Sequence, residues 1–331
     1  MKRNTGKILV LFPGALGDFV CFLPALEKIA RDREVDLLAR SEYAGILSER
    51  IRVESLERHE ISRLFSADAE SDETLRNFFS VYGRIYSWTG SGEGTFIRSL
   101  RGVFHGELRC FSFQPQASMH AVDYYLSCVG GVFAPRECRG VLRPHPRAVA
   151  WARQYAREHG FEQKKVLILG PGSGAKEKNW PAVAYKEISR AWEKQFEGVA
   201  ITVLGPVEEE DAQISREFGT EAHILRGLDI GQVAALLCQS HVYVGNDSGL
   251  THLAAAIGLP TVAIFGPTDP ARWAPRGEKV SLLARQIECS PCDYRTMKGC
   301  PHRRCLTGLS TMEVALNLSK HFKSARRAHA P

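Results

Sequence analysis

The sequence predicts an α/β protein made of two Rossmann-like domains with mostly parallel sheets. Short apolar runs of strand length alternate with stretches whose apolar residues recur at helical spacing. Glycine-rich turns follow the leading strand of each half, at 13–17 and again at 170–174. The 331 residues are too many for one ordinary core and a comfortable fit for two. The two domains are expected to face each other across a cleft, with ligands beyond the carboxyl ends of the strands.

The first strand is the apolar run 8–12, and Pro13-Gly14-Ala15-Leu16-Gly17 turns the chain. From Asp18 to about Arg31, Val20, Leu23, Leu26 and Ile29 recur at helical spacing. Pro24 is expected only near the start of that helix, because proline has no N–H to donate. Residues 35–39 and 85–88 read as further strands, and 89–94 as a Gly/Ser loop. The stretch 130–146 carries Pro135, Pro144 and Pro146 among several arginines. It reads as the end of the first domain, 1–147, and the start of a linker. The second domain, 148–315, opens with a helix that Gly160 stops. Strands follow at 166–169, 200–204, 223–225, 241–244 and 261–265. Helices are expected from Trp180-Pro181 to about 196, from Glu208, at 230–239 and at 247–257. A helix and basic tail, 316–331, would close the chain.

No apolar run is long enough to span a bilayer. Lys2, Arg3 and Lys7 precede an apolar run, as in a signal peptide, but that run is short and breaks at Pro13 and Gly14. It reads as a buried strand, which implies a cytoplasmic protein. The net charge of +6 is small and scattered, which excludes nucleic acid as a partner. It suits mild attraction to anionic substrates or to an anionic membrane face. Of nine cysteines, Cys21, Cys110, Cys128, Cys138 and Cys238 are scattered and read as small core residues.

The segment 244–256 carries the strongest chemical signal. A strand delivers the chain to Gly245-Asn246-Asp247-Ser248-Gly249, and a helix begins at once. Free N–H groups and the macrodipole at a helix start attract an anion. Asp247 or Ser248 is placed to cap that helix, and capping with a tight turn is an equal reading of the segment alone. His252 alone reads as a half-buried structural histidine.

The run continues as Gly258-Leu259-Pro260-Thr261-Val262-Ala263-Ile264-Phe265-Gly266-Pro267-Thr268-Asp269-Pro270 and on to Trp273-Ala274-Pro275. As a whole it resembles the donor-binding signature of the ADP-heptose:lipopolysaccharide heptosyltransferases, glycosyltransferase family 9. Gly14-Ala15-Leu16-Gly17-Asp18 with Leu23-Pro24-Ala25-Leu26 is similar to the family's N-terminal motif. The segment from Gly170 to Pro181 is similar to its second glycine loop, and Leu204-Gly205-Pro206-Val207-Glu208 to its ribose-side turn. The likeness is dense in the C-terminal half and thin between about Arg40 and Arg147.

The resemblance implies a GT-B fold and an inverting, metal-independent transfer of a heptose from ADP-heptose to a lipopolysaccharide inner-core acceptor. Asp18 would be the general base that takes the acceptor hydroxyl proton. Its competing reading is a helix N-cap. Lys178 would neutralise the departing diphosphate, with Lys176 as the competing lysine. Gly14, Gly17, Ser173, Gly174, Asp247, Ser248, Gly249 and His252 would surround the substrates. Glu208, or its neighbours Glu209 and Glu210, would hold the ribose. The implied partners are a nucleotide-diphospho-sugar donor and an acidic lipid-linked glycan at the cytoplasmic face of the inner membrane. Arg58, His59, Arg63, Arg98 and Arg101 are candidates to meet that acceptor.

Cys289-Ser-Pro-Cys292, Cys300 and Cys305 have the look of a four-thiolate site for structural zinc or iron. Four reduced thiols or two disulfides are the alternatives, the latter disfavoured in a reducing compartment. Two other functions compete with transfer. One keeps the fold but takes another nucleotide sugar, or a protein or other glycan as acceptor. The other is a non-catalytic metal-binding module, which has no use for Asp18 and Lys178. A nicotinamide-dinucleotide enzyme fits poorly, because Gly14-Ala-Leu-Gly17 lacks the G-x-G-x-x-G spacing.

Overall fold

Lys7–Leu11 (β1) is a buried apolar run that Pro13 ends, and Leu16–Ala30 (α1) follows at once. The computed structural model describes residues 6–115, 118–132, 141–205, 218 and 223–327, with backbone alone from 323. The chain divides into two compact units, Met1–Arg143 and Pro144–Pro331.

In the first unit, Val35–Ala39 (β2), Ile51–Ser55 (β3), Tyr82–Ser87 (β4) and Glu107–Cys110 (β5) join β1. The order is β3-β2-β1-β4-β5, and every pairing is parallel. One face is covered by α1 and by Ala121–Cys128 further along the chain. There Phe12 stacks on Phe22 with ring centroids 4.3 Å apart, and Trp88 meets Phe22 edge-on at 4.8 Å. The other face buries Leu9, Leu11, Ile85, Phe79, Phe96 and Leu100. Pro24 corrects the sequence expectation. It is the ninth residue of fifteen in α1, not an early one. It removes the bond its N–H would make to the Val20 carbonyl, but it lies buried among core side chains, and that packing offsets the loss.

The second unit opens with Pro146–Glu158 (α2), with Pro146 at the first turn, where a missing N–H costs nothing. Val166–Gly170 (β6), Ala182–Phe196 (α3), Val199–Val203 (β7) and His223–Leu225 (β8) follow. The helix expected from Glu208 lies outside the described residues. Ile230–Cys238 (α4) starts at a reciprocal cap in which Asp229 and Gln232 each accept the other's backbone N–H. Then come Val242–Asn246 (β9), Gly249–Ile257 (α5), Thr261–Phe265 (β10) and Val280–Ala284 (β11). Gly258, at φ +86°, ends α5 in the left-handed conformation that glycine adopts without a Cβ penalty.

The second sheet runs β11-β10-β9-β6-β7-β8, again parallel at every pairing. β6, β9 and β10 are buried along their whole length, the pattern of strands covered on both faces. Tyr294–Gly299 (α6), Arg304–Thr307 (α7) and Thr311–Arg327 (α8) complete the chain. α8 is no appendage: Val314, Leu318 and Phe322 pack into the core formed by Trp180, Trp192 and Val262. Among the described residues no helix is long and apolar enough to cross a membrane.

Candidate active site

In the second unit the chain winds outward from β6 to β8, returns beside β6 as β9, and then winds the other way. Such a reversal is where open parallel sheets leave a crevice beyond the carboxyl ends of their strands. Gly170 and Gly245 face each other in register at that point. A Cβ on either would lie 2.1 Å from the Tyr243 phenol oxygen. Both glycines are therefore dictated by that phenol, which lies across them and meets Thr251 Oγ1 at 3.0 Å. The contact fastens the first turn of α5 to β9.

Asn246, at the end of β9, is fully buried. Its Oδ1 accepts from the Trp180 backbone N–H and from the Tyr185 hydroxyl, both at 2.9 Å. Its Nδ2 donates to the Pro171 carbonyl at 2.6 Å. One side chain thus ties the end of β9 to both ends of the glycine loop after β6, across 75 residues of sequence. Within that loop the Ser173 hydroxyl lies 2.6 Å from Asn179 Oδ1 and 2.7 Å from the Ala175 carbonyl. Ser173 is turned inward, while Gly174 stands exposed with open space around it.

The loop ends in a single tight turn, Lys176–Lys178. Lys178 Nζ meets Asp247 Oδ2 at 2.8 Å, and the Asp247 side chain is 8% exposed. Lys176 is exposed and makes no such approach. Ser248 is the cap of α5, its hydroxyl accepting from Thr251 N–H at 3.3 Å. Asp247, the other capping candidate, is committed to Lys178 instead. Gly249 is the first residue of α5 and His252 the fourth, buried with its own N–H donated to the Ser248 carbonyl. Lys178, Asp247, Ser248, Gly249 and His252 are thus drawn to one strand end. Glu208 lies outside the described residues.

Glu177, between the two lysines, points the other way. It is nearly buried and pairs with Lys298 Nζ at 2.8 Å, a contact that holds its carboxyl below the ordinary range. Arg303 donates to the Lys176 carbonyl at 3.0 Å. Sequence reasoning missed Asn246, Lys298 and Arg303 because their partners are remote in the chain.

In the first unit Asp18 is the third residue of α1, partly exposed, and the cap position is Ala15, so Asp18 is not an N-cap. An acidic residue in a first turn is favoured by the helix dipole. A Cβ on Gly14 would lie 2.4 Å from the Phe12 ring and 2.8 Å from Asp18 Cβ, which explains that glycine. The Tyr43 hydroxyl donates to the Gly14 carbonyl at 3.0 Å, and its ring stacks on Phe19 at 4.0 Å. Burial chiefly, with the Asp18 charge contributing, raises the Tyr43 and Tyr125 phenols far above their ordinary range. Asp18 therefore sits beside two hydroxyls that stay protonated. Gly17 precedes it within the same helical turn.

Two of the arginines expected to meet an acceptor are already paired. Arg58 binds both Glu54 and Glu60, and Arg63 lies 3.3 Å from Asp68 and from Asp72. His59, Arg98 and Arg101 are exposed.

Cys289, Cys292, Cys300 and Cys305 lie in one segment, but among the described residues no three metal-ligating side chains are arranged to hold an ion. The reason is local. Cys292 Sγ is turned onto the Cys289 carbonyl, and Cys300 Sγ lies against His302 Nδ1 and the Arg303 N–H. Cys289 is exposed while Cys305 is buried.

Residues 138–300 match the family model described as glycosyltransferase family 9 (heptosyltransferase). Lipooligosaccharide heptosyltransferase 2 of Campylobacter jejuni is 31% identical over 170 residues, covering 48% of this chain and 52% of that protein. The chain thus spans about half the length of the curated relatives it matches. A glycosyl transferase family 9 structure from Veillonella parvula superposes with a TM-score of 0.75 at 17% identity, covering 98% of this chain and 99% of that one. The ADP-heptose lps heptosyltransferase II structure from E. coli gives 0.69 at 17%, covering 97% and 99%. The fold is the GT-B fold of these heptosyltransferases.

Proposed function

Because the chain carries a glycosyltransferase family 9 domain at residues 138–300, we propose that it is an inverting glycosyltransferase. In this reading it moves a heptose from ADP-heptose to an acidic, lipid-linked inner-core glycan at the cytoplasmic face of the inner membrane. The observation that carries the reading is the approach of Lys178 to Asp247 at the start of α5. A compact ammonium and a helix start with free N–H groups converge there on one strand end. That pair suits a diphosphate whose charge grows as it leaves.

In the proposed step Asp18 accepts the proton of the acceptor hydroxyl. The oxygen forms the new bond to the anomeric carbon on the face opposite the diphosphate. The bond from that carbon to the diphosphate oxygen breaks, and the nucleotide departs with the electron pair. Lys178 and the N–H groups at the start of α5 balance its charge. Asp247 keeps Lys178 in place before the donor arrives. Tyr43 and Tyr125 stay neutral near Asp18 and do not compete for the proton.

The test is Asp18→Asn. Transfer from ADP-heptose should fall by at least about a hundredfold, while ADP binding by calorimetry stays within a factor of two or so of the parent. Full transfer by the Asn variant would refute the base assignment. A panel of ADP-, UDP- and GDP-linked sugars in the same assay fixes the donor, and preference for a UDP- or GDP-sugar would overturn the ADP-heptose part of the reading.

A further inference from the structure

The segment 289–305 makes a continuous set of contacts from one strand end to the turn that carries Lys178. Its near end is tied beyond β10, where the Ser290 hydroxyl donates to the Gly266 carbonyl at 2.6 Å and the Cys292 N–H to the Pro267 carbonyl at 2.7 Å. Its middle is α6, which Asp293 caps by accepting from Thr296 N–H and which Met297 anchors in the interior. Its far end delivers Lys298 to Glu177 and Arg303 to the Lys176 carbonyl. Arg303 holds a left-handed backbone (φ +43°) that a non-glycine residue rarely adopts, with its own N–H on Cys300 Sγ. A cavity of about 300 Å³ lies between the two segments, lined by Lys176, Glu177, Asn179, Lys298, Cys300 and Arg303.

The turn it grips is short. Lys176, Glu177 and Lys178 are consecutive, with Glu177 facing the segment and Lys178 facing Asp247. In so tight a turn, neighbouring side chains cannot move independently, because rotating the backbone at Glu177 swings Lys178 with it. The Glu177–Lys298 pair joins residues 121 apart, with the Glu177 side chain 10% exposed and that of Lys298 40% exposed, so the charge-assisted bond anchors the inner carboxylate to a segment remote in the chain.

We propose that Lys298 and Arg303 are positioning residues for the diphosphate site, and that the segment 289–305 is the strut through which they hold Lys178 in register with Asp247. The proposal rests on the reading of Lys178 as a diphosphate ligand. It also gives the cysteine-bearing segment a function that requires no ion.

The experiment measures ADP affinity by calorimetry and the thermal midpoint for Lys298→Met, Glu177→Gln, the exchange pair Glu177→Lys with Lys298→Glu, and Lys178→Ala. Lys298→Met and Glu177→Gln should each weaken ADP on the order of tenfold, a typical coupling between linked sites. The exchange pair should recover most of that loss by restoring the joint with reversed polarity. ADP affinity near the parent value in Lys298→Met, while Lys178→Ala weakens it tenfold or so, overturns the strut and leaves the diphosphate reading standing. Unchanged affinity in Lys178→Ala overturns both. Should Lys298→Met melt early, the exchange pair decides: parental stability without recovered affinity also overturns the strut.

Discussion

Replacing Asn246 by alanine strips three buried partners at once. The Trp180 N–H, the Tyr185 hydroxyl and the Pro171 carbonyl all lose the group that satisfies them, at 2.9, 2.9 and 2.6 Å in the parent. A buried group left without its partner costs about 1–3 kcal/mol. The Tyr185 hydroxyl can rotate and the carbonyl keeps a second lone pair, so the sum falls toward the low end, about 4 kcal/mol in all. For a unit of this size each kcal/mol lowers the midpoint by about 3 °C, so thermal unfolding by circular dichroism should drop by about 12 °C. Asn246→Asp sharpens the test. Its carboxylate still accepts from Trp180 and Tyr185 but faces the Pro171 carbonyl with no proton to donate. The proton returns as pH falls, because burial beside a carbonyl raises the pKa of that carboxyl in the folded state. Stability from a group with a raised folded pKa is present at low pH and lost as pH rises. The deficit of Asn246→Asp against the parent should therefore narrow between pH 7.5 and pH 5, at fixed salt. An alanine variant melting within about 3 °C of the parent would refute the hub assigned to Asn246. So would an aspartate deficit that does not move with pH.

Gly170→Ala and Gly245→Ala should each destabilise the second unit by roughly 2 kcal/mol or more, through the clash with the Tyr243 oxygen, as read by denaturant unfolding. Adding Tyr243→Phe should rescue Gly170→Ala better than Gly245→Ala. The ring carbon next to that oxygen would stand 2.9 Å from a Cβ at Gly170 but 2.6 Å from one at Gly245. For pH, burial lowers the pKa of His223, His241 and His321, with neighbouring His159, Lys165 and Lys279 respectively pushing the same way. The unfolded chain then binds more protons below about pH 6.5, so stability is complete above that value and is lost as pH falls through the lowered folded pKa values. His241 carries a structural reason besides, because its Nδ1 accepts from the Val166 N–H at 3.1 Å and cannot do so once protonated. Thermal midpoints from pH 8 to 5 check this, and His241→Gln should flatten the acid limb of the curve.

What was legible in the sequence is what repeats or runs continuously. β6, β9 and β10 are uninterrupted apolar strands, and the turns after them consist of small residues, so their positions and the helix start at Gly249 could be read directly. The edge strands β3, β5 and β11 were not legible, because Arg52, Glu107 and Ser281 interrupt the apolar pattern where one side of the strand meets no neighbour. The α1 boundary was read two residues late because Gly17 looked like part of the turn, and that displaced Pro24 toward the helix start. Asn246 stood inside the strongest motif yet drew no role, since a buried amide reveals its use only when Pro171, Trp180 and Tyr185 are seen around it. Tyr43 and Tyr125 beside Asp18, and Lys298 beside Glu177, share that limit: each pair is made by the fold and leaves no spacing in the chain.

The adjacency of β6 and β9 also sets a timetable. During synthesis, β6 emerges with the glycine loop at its end, but its partner on one side is not made until Asn246 has followed, about one half-domain later. Until then the Trp180 N–H and the Pro171 carbonyl have nothing to hold them, and closing so long a loop is slow. Nascent second units of this protein should thus pass through a stage in which β6, β7 and α3 are present but β9 and the start of α5 are not. A chaperone that shields an unpaired strand edge would find its substrate at that stage.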